Sequence, residues 1–336
     1  MSTIDTALLA WWLDQPEIQT DTLAVAFSGG ADSTALLLGA LRLCQQGVNA
    51  APTQFERPFP HRIVALHVHH GLQASADAFA SHCTGLCQSL QKTLIPPIKL
   101  ETVVLPVQVV CAQGESVEAQ ARQARYRALA QAAQTAGAGA VLLGHHTGDQ
   151  AESVLLALSR GSGMAANFVR HGMRFARPLL HLEQKTLKQW LQTHQIPWVD
   201  DPSNTDQRFT RNRLRHTALP LLEEHLPGFG HSLVRSARLA AQADALLQDL
   251  AQMDLQQVGN PPQIARVRQL PALRQANVLR HWLKQEYAAI GSESQLLALQ
   301  RVLAACTTRG HRIHIKVGGG FVERNGSELV WRPLQS

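Results

Sequence analysis

A short apolar run, Thr22-Leu-Ala-Val-Ala-Phe27, breaks into Ser28-Gly29-Gly30-Ala31-Asp32-Ser33, and a helical pattern follows from Ser33 to Leu43. A strand, a tight turn and a helix in such close succession leave the chain few ways to fold, because the helix must carry it across to a parallel neighbour. The alternation repeats, with strands reading over 62–68, 98–105 and 140–143 and helices over 74–90, 115–135 and 150–158. It predicts an α/β fold: a parallel sheet flanked by helices, with ligands beyond the carboxyl ends of the strands. One more helix reads over 182–192, followed by a polar stretch over 200–215. Leu219-Pro220 and Pro227-Gly228 then punctuate the chain, which places one domain at residues 1–218 and a second at 219–336. The second reads as a smaller helical domain ending in a short antiparallel strand set, with Asn325-Gly326 as its hairpin turn.

The loop at 28–33 carries the first chemistry. Paired glycines let backbone N–H groups approach an anion, and the start of the next helix adds partial positive charge. Ser28 and Ser33 offer hydroxyl donors to phosphate, and Asp32 offers a carboxylate to Mg2+. No GxxxxGKS or GxxxxGKT stands in the chain, so this is not the common kinase-type phosphate loop. The plainer reading is a turn in which Asp32-Ser33 caps a helix.

The second cluster is Gly144-His145-His146-Thr147-Gly148-Asp149-Gln150-Ala151-Glu152-Ser153, after the strand ending at Leu143. Asp149 and Glu152 are three apart, so both carboxylates project from one face of a helix's first turn. There they either complement the helix dipole or receive a cation, Mg2+ or a substrate ammonium. His145 and His146 are adjacent and point apart, which argues against zinc. The third cluster, Asp201-Pro202-Ser203-Asn204 followed by Arg208, Arg211, Asn212, Arg213 and Arg215, reads as a turn with arginine forks at a strand's edge, suited to phosphate. Net charge supports a polyanion: residues 1–117 carry −4, 118–216 carry +6 and 217–336 carry +4. Gly161-Ser162-Gly163-Met164-Ala165-Ala166 matches GxGxxA but follows a helix, so the dinucleotide reading fails on context.

Taken in order, these motifs resemble the tRNA(Ile)-lysidine synthetase family of the PP-loop ATP pyrophosphatases. The resemblance rests on Ala26–Ser33, His67-Val68-His69-His70-Gly71-Leu72 and Glu118-Ala119-Gln120-Ala121-Arg122 with Arg125-Tyr126. His145-His146 through Glu152, Arg160-Gly161-Ser162-Gly163, Arg177-Pro178-Leu179-Leu180 and the block from Asp201 to Arg215 complete it, so that it spans about residues 22–220. It implies ligation of L-lysine to the wobble cytidine of a tRNA(Ile) with a CAU anticodon, at the expense of ATP and with Mg2+. ATP adenylates the C2 oxygen of cytosine, and the lysine ε-amine then displaces AMP. By the same resemblance, Ser28, Gly29, Gly30, Ala31, Asp32 and Ser33 bind ATP, with Asp32 and Asp149 as the Mg2+ candidates. Asp149 and Glu152 receive lysine, and one of them takes its proton. Arg122, Arg125, His145, Arg211, Asn212 and Arg215 face nucleotide or tRNA, with Asp32, Asp149, Glu152 and Arg211 in the catalytic set. The chain departs from the family where Gly148 replaces an Asp and where His69 replaces an Asn. Many members also continue into a further C-terminal domain, so tRNA discrimination here is expected from residues 217–336 and the catalytic face.

Two rival readings are a PP-loop tRNA thiolase and a non-catalytic ATP- or tRNA-binding module. The thiolase normally needs paired cysteines, and no CxxC occurs among Cys44, Cys83, Cys87, Cys111 and Cys306. Cys83 and Cys87 lack a second ligand pair for zinc and read as small apolar residues on a helix. No apolar run approaches the roughly 20 residues that cross a bilayer, and acidic residues, Asp5, Asp14 and Glu17 among them, precede the first basic one, Arg42. A cytoplasmic protein with no membrane partner is expected. The oligomeric state stays open, a homodimer included.

Overall fold

A computed structural model of the chain describes residues 2–49, 58–69, 76–107, 117–160, 166–201, 204, 206–207, 210–306 and 311–334. His70-Gly71-Leu72, Cys111, Gly161-Ser162-Gly163, Met164-Ala165, Pro202-Ser203 and Arg208 lie outside the described residues, as do the side chains of Glu118, Ala119 and Arg160. The chain divides into two compact units, Met1–Ala237 and Arg238–Ser336.

In the first unit the order is α1 (Thr3–Leu13), β1 (Thr22–Ala26), α2 (Ala31–Asn49), β2 (Arg62–His69), α3 (Ala76–Gln91), β3 (Lys99–Pro106), α4 (Val117–Thr135), β4 (Val141–Leu142) and α5 (Thr147–Arg160). Then come β5 (Asn167–Arg170), β6 (Met173–Ala176), α6 (Gln184–Thr193), α7 (Thr210–Arg213), a π-helical turn over Leu214–Ala218 and α8 (Leu219–His225). Helix α9 (Phe229–Val258) runs across the division between the units.

The six-stranded sheet has the order β3-β2-β1-β4-β6-β5, parallel throughout except for the antiparallel edge strand β5. Alternation along each strand sorts its side chains between two cores. Leu23, Val25, Ile63 and Ala65 point into a core shared with Leu36, Leu37 and Leu41 of α2, while Ala24, Val64 and Leu66 face Tyr126, Leu129 and Ala133 of α4. Helices therefore cover both faces, as parallel sheets require.

Two elements escaped the sequence reading. Helix α1 is apolar over most of its circumference, with Ile4, Leu8, Trp11 and Trp12 buried, so its periodicity is weak; its signal was the capping box of Ser2 with Asp5. It packs so closely on α2 that a Cβ on Gly39 would lie 2.3 Å from Leu8 Cδ1. Buried Asp5 also accepts two hydrogen bonds from Arg42 at 2.8 and 3.0 Å. The hairpin of β5 and β6 turns at His171 and Gly172, both at positive φ (51° and 70°), as a two-residue type I′ loop demands. A third difference is a correction. The arginines at 211–215 do not stand at a strand's edge; they lie on α7 and the π-helical turn after it.

The second unit holds α10 (Ile264–Val267), α11 (Ala272–Tyr287), α12 (Glu293–Ala305) and a three-stranded antiparallel sheet of β7 (His314–Val317), β8 (Gly320–Asn325) and β9 (Glu328–Pro333). Val278, Leu279, Trp282 and Leu283 of α11 share a core with Leu296, Leu299 and Leu303 of α12 and with Val317, Val322 and Leu329 from the strands. This is the expected smaller helical domain with a terminal strand set. Among the described residues, no helix is long and apolar enough to cross a membrane.

Candidate active site

Residues 27–30 turn the chain from β1 into α2. Gly29 has φ +84°, and a Cβ there would lie 2.9 Å from Cys83 Sγ, so only glycine fits both the conformation and the space. The Ser33 hydroxyl donates to Gly30 O at 3.0 Å, accepts from Ser28 N–H at 3.2 Å and lies 3.0 Å from Ser28 Oγ. These bonds hold the loop's shape while the first turn of α2, whose N–H groups have no intrahelical acceptors, faces the cavity. Behind the loop, His67 Nδ1 lies 3.0 Å from Phe27 O, and burial lowers the imidazole pKa. Burial pushes the Cys83 thiol up to about 12 and the Cys87 thiol upward as well, so both are inert packing residues of α3.

The β4–α5 loop meets this turn. A Cβ on Gly144 would lie 3.0 Å from backbone atoms of Asp32 and Ser33, so the two loops touch main chain to main chain. Asp32 Oδ2 accepts from Gln184 Nε2 at 3.0 Å, while Oδ1 is buried without a hydrogen-bond partner among the described residues. Burial raises the Asp32 pKa against the pull of His146 and Gln184. His146 Nδ1 accepts from Gly148 N–H at 2.9 Å, so the ring proton belongs on Nε2, which lies 3.7 Å from Asp32 Oδ2 and 3.6 Å from Asp149 Oδ2. The absent side chain at 148 permits this fold-back, because a Cβ there would lie 2.7 Å from His146 Cε1.

Asp149 and Glu152 do share a helix face, and Arg215 spans them. Its Nε donates to Glu152 Oε1 at 2.5 Å and its Nη2 to Asp149 Oδ1 at 3.2 Å, while His146 N–H donates to Asp149 Oδ2 at 2.9 Å. Burial raises the pKa of Asp149, but His146, His145, the backbone bond and Arg215 outweigh it, leaving this carboxyl below its usual range. Glu152 is 1% exposed, its Oε2 has no hydrogen-bond partner among the described residues, and burial holds its pKa up despite Arg215. Burial works against the charge on Arg215, yet the two carboxylates raise its pKa. Nearby, Arg211 donates to Ser153 Oγ at 3.5 Å, and Asn212 Nδ2 donates to Asp206 O at 2.8 Å, closing the turn ahead of α7.

His145 points away from His146. Its Nδ1 accepts from Arg177 Nε at 3.2 Å. Burial pulls its pKa down to about 3, against Asp149 and with help from Arg177, Arg125 and Arg122, so the ring is neutral.

A cavity of about 810 Å³ lies over these loops. Ser28, Gly30, Ala31, Asp32, Ser33, Arg125, His145, Asp149 and Arg215 line it, whereas Gly29, Arg122, Glu152, Arg211 and Asn212 do not. The lining also includes Gln184, Lys188 and Asp200, which the motifs did not name. Gln184 and Lys188 are one turn apart on α6, and that i, i+4 polar spacing was the available signal. Among the described residues, no group of three or more His, Cys, Asp or Glu side chains is arranged to hold a metal ion unaided. Mg2+ needs less, since one or two carboxylates and substrate phosphates complete its shell, and the buried, unpartnered Asp32 Oδ1 fits that use.

Residues 6–222 match the family model described as PP-loop domain, and residues 263–330 match that described as TilS substrate binding domain. A tRNA(Ile)-lysidine synthase of Polaromonas naphthalenivorans is 48% identical over 322 residues, 94% of this chain and 91% of that protein. Its counterpart in Escherichia coli O157:H7 is 35% identical, over 95% of this chain and 71% of its own length. The one in Burkholderia pseudomallei is 37% identical over 92% of this chain but only 61% of its own length. Among solved structures, the U34-tRNA thiolase NcsA of Methanococcus maripaludis aligns with a TM-score of 0.51 at 14% identity, covering 66% of this chain and 72% of that one, which is a likeness of fold.

Two outcomes follow from the histidines. Gly148→Asp is expected to drive the His146 ring from its place and to lower stability by about 0.5–1.5 kcal/mol for the lost bond; an unchanged urea midpoint would contradict the fold-back. The second concerns acid. Between about pH 6.5 and 3 an unfolded histidine binds a proton that folded His145 refuses, so stability falls as pH falls through this window. His145→Gln removes that contribution and keeps an acceptor for Arg177. Its urea midpoint is expected to drop less between pH 7 and pH 5 than that of the parent chain.

Proposed function

The chain belongs to the tRNA(Ile)-lysidine synthase family, and on that premise we propose that it joins L-lysine to C2 of the wobble cytidine in a tRNA(Ile) with a CAU anticodon. The observation that carries this reading is the single cavity lined by both the phosphate-type loop at 28–33 and the carboxylate of Asp149. Anion site and cation site share one space, as an ATP-driven ligation of an amine requires.

The Ser28–Ser33 loop and the start of α2 receive the phosphates of ATP. Asp32 would hold Mg2+, which when bound offsets the charge of the phosphates and eases departure of pyrophosphate. The C2 oxygen of cytosine attacks the α-phosphorus, the bond to the bridging oxygen breaks, and pyrophosphate leaves with the electron pair. In the second step the lysine nitrogen attacks C2, the C2–O bond breaks, and AMP leaves with its electrons.

The amine must first lose a proton. With a side-chain pKa of about 10.4, roughly one lysine in 2,500 is nucleophilic at pH 7, a barrier of about 4.6 kcal/mol. Asp149 is the acceptor that suits this step, because it faces the cavity, whereas Glu152 is buried behind Arg215. Glu152 then acts through Arg215, holding that guanidinium where it meets Asp149. Each Asp149 oxygen keeps a further lone pair for the incoming ammonium. Arg125 and neutral His145 line the same cavity and would face the nucleotide or the activated base. Residues 219–336, which include the match to a substrate-binding domain, would add contacts to the tRNA. A reaction on tRNA suits the cytoplasm.

Incubation of the chain with ATP, labelled lysine and an isoleucine tRNA transcript bearing CAU tests this directly. Label is expected in the RNA, and it should vanish when the wobble cytidine is replaced by uridine. RNA that stays unlabelled, or labelling indifferent to the wobble base, would overturn the assignment.

A further inference from the structure

Outside the loop at 28–33, three arginines gather around one aromatic ring with no carboxylate paired to them among the described residues. We propose that Arg122, Arg125 and Arg170, carried on the ring of Tyr126, form a binding surface for the backbone phosphates of an RNA strand, separate from the loop that takes ATP. This deepens the functional reading above and rests on its substrate being an RNA.

The support of the cluster is rigid. Tyr126 is 1% exposed and meets Phe175 and Phe168 edge-on, at centroid distances of 5.1 and 5.8 Å, while those two rings stack at 5.2 Å. Three guanidinium carbons surround the Tyr126 ring, Arg170 at 4.8 Å, Arg122 at 5.3 Å and Arg125 at 5.6 Å, and Arg122 also donates to the phenol oxygen at 3.4 Å. A ring face favours a cation by about 0.5–2 kcal/mol, which fixes where each arginine lies but cancels none of its charge. Among the described residues, no carboxylate lies within 4 Å of any of the three.

The same hairpin supplies its own control. Arg174, four residues after Arg170, is paired with Glu17 at 2.7 Å. The fold thus neutralises one arginine of the hairpin and leaves its neighbour on an aromatic post. Burial and the mutual repulsion of the arginines depress the pKa of Arg125, and although burial raises that of Tyr126, Arg122, Arg125 and Arg177 pull it down. A half-buried cluster of like charges at this cost is what a phosphate, binding through bidentate guanidinium forks, would relieve.

Position separates this surface from the ATP loop. Tyr126 belongs to the core on the α4 face of the sheet, whereas α2, which opens with the phosphate loop, packs on the other face. Of the three arginines only Arg125 lines the cavity; Arg122 on α4 and Arg170 at the end of β5 stand outside its lining. A mononucleotide in the cavity has no phosphate to offer them, but a polynucleotide whose base enters the cavity does. Gln134 anchors the hairpin to α4 by donating to His171 O at 3.1 Å.

Binding of the CAU-bearing tRNA transcript to the full chain, without ATP or lysine and over 50–200 mM salt, tests the proposal. Arg170→Gln and Arg122→Gln are each expected to weaken binding at least threefold and to reduce the salt slope by about 0.7–0.9. Their affinity for ATP should not change. Arg174→Gln should leave tRNA affinity and slope unaltered, and Arg170→Lys, which keeps the charge, should retain the slope. Parental affinity and slope in Arg170→Gln would overturn the proposal, as would an equal loss of tRNA and ATP binding. A parent chain that binds tRNA but transfers no lysine would sink the functional reading alone, leaving this surface intact.

Discussion

Arg215 reaches two carboxylates, Asp149 and Glu152, that sit more than sixty residues away in sequence, and the candidate site is organised around that contact. A buried Glu152 without a cation would be driven to its neutral form. With Arg215 against it, the π-helical turn after α7 is fixed to the first turn of α5. Asp149, held at once by Arg215 and by the His146 N–H of its own helix start, lines the cavity wall. His146 and Asp32 complete the chain of contacts, so that the loop at 28–33 and the Asp149 carboxylate are positioned by one continuous set of side chains.

The sheet then separates the charges. Helix α2 and its loop belong to one face and would meet the triphosphate; α4 and the β5–β6 hairpin belong to the other and carry the arginines. Because β1 and β4 are adjacent and parallel, their following loops emerge at the same end, and Gly144 lets them touch. The cavity is the space left above that junction, in keeping with the rule that parallel sheets bind ligands beyond the carboxyl ends of their strands.

Much of this was legible in the sequence. Strand–turn–helix alternation predicted the parallel sheet and most of its helices, and the spacing of Asp149 and Glu152 predicted a shared helix face. Helix α1 was not read because it is apolar nearly all round, and the β5–β6 hairpin was not read because its strands are four residues long. The partners of the site were beyond reach for a different reason. That Arg215 spans the carboxylates, that Gln184 meets Asp32 and that Tyr126 supports three arginines are consequences of tertiary packing, which leaves no mark at fixed spacing. Glu152 illustrates the limit: its place in the motif suggested a ligand for lysine, and nothing in its spacing foretold that it would be 1% exposed with Arg215 donating to it.

In the proposed reaction labour is divided: the loop at 28–33 would drive adenylation, and Asp149 would serve the amine that follows. Exchange of labelled pyrophosphate into ATP, measured with tRNA present and lysine absent, isolates the first step. Asp149→Asn is predicted to keep this exchange within about threefold of the parent chain while lysine transfer falls about 10²–10⁴-fold, the range for loss of a positioned proton acceptor. Exchange and transfer that fall together would contradict the account.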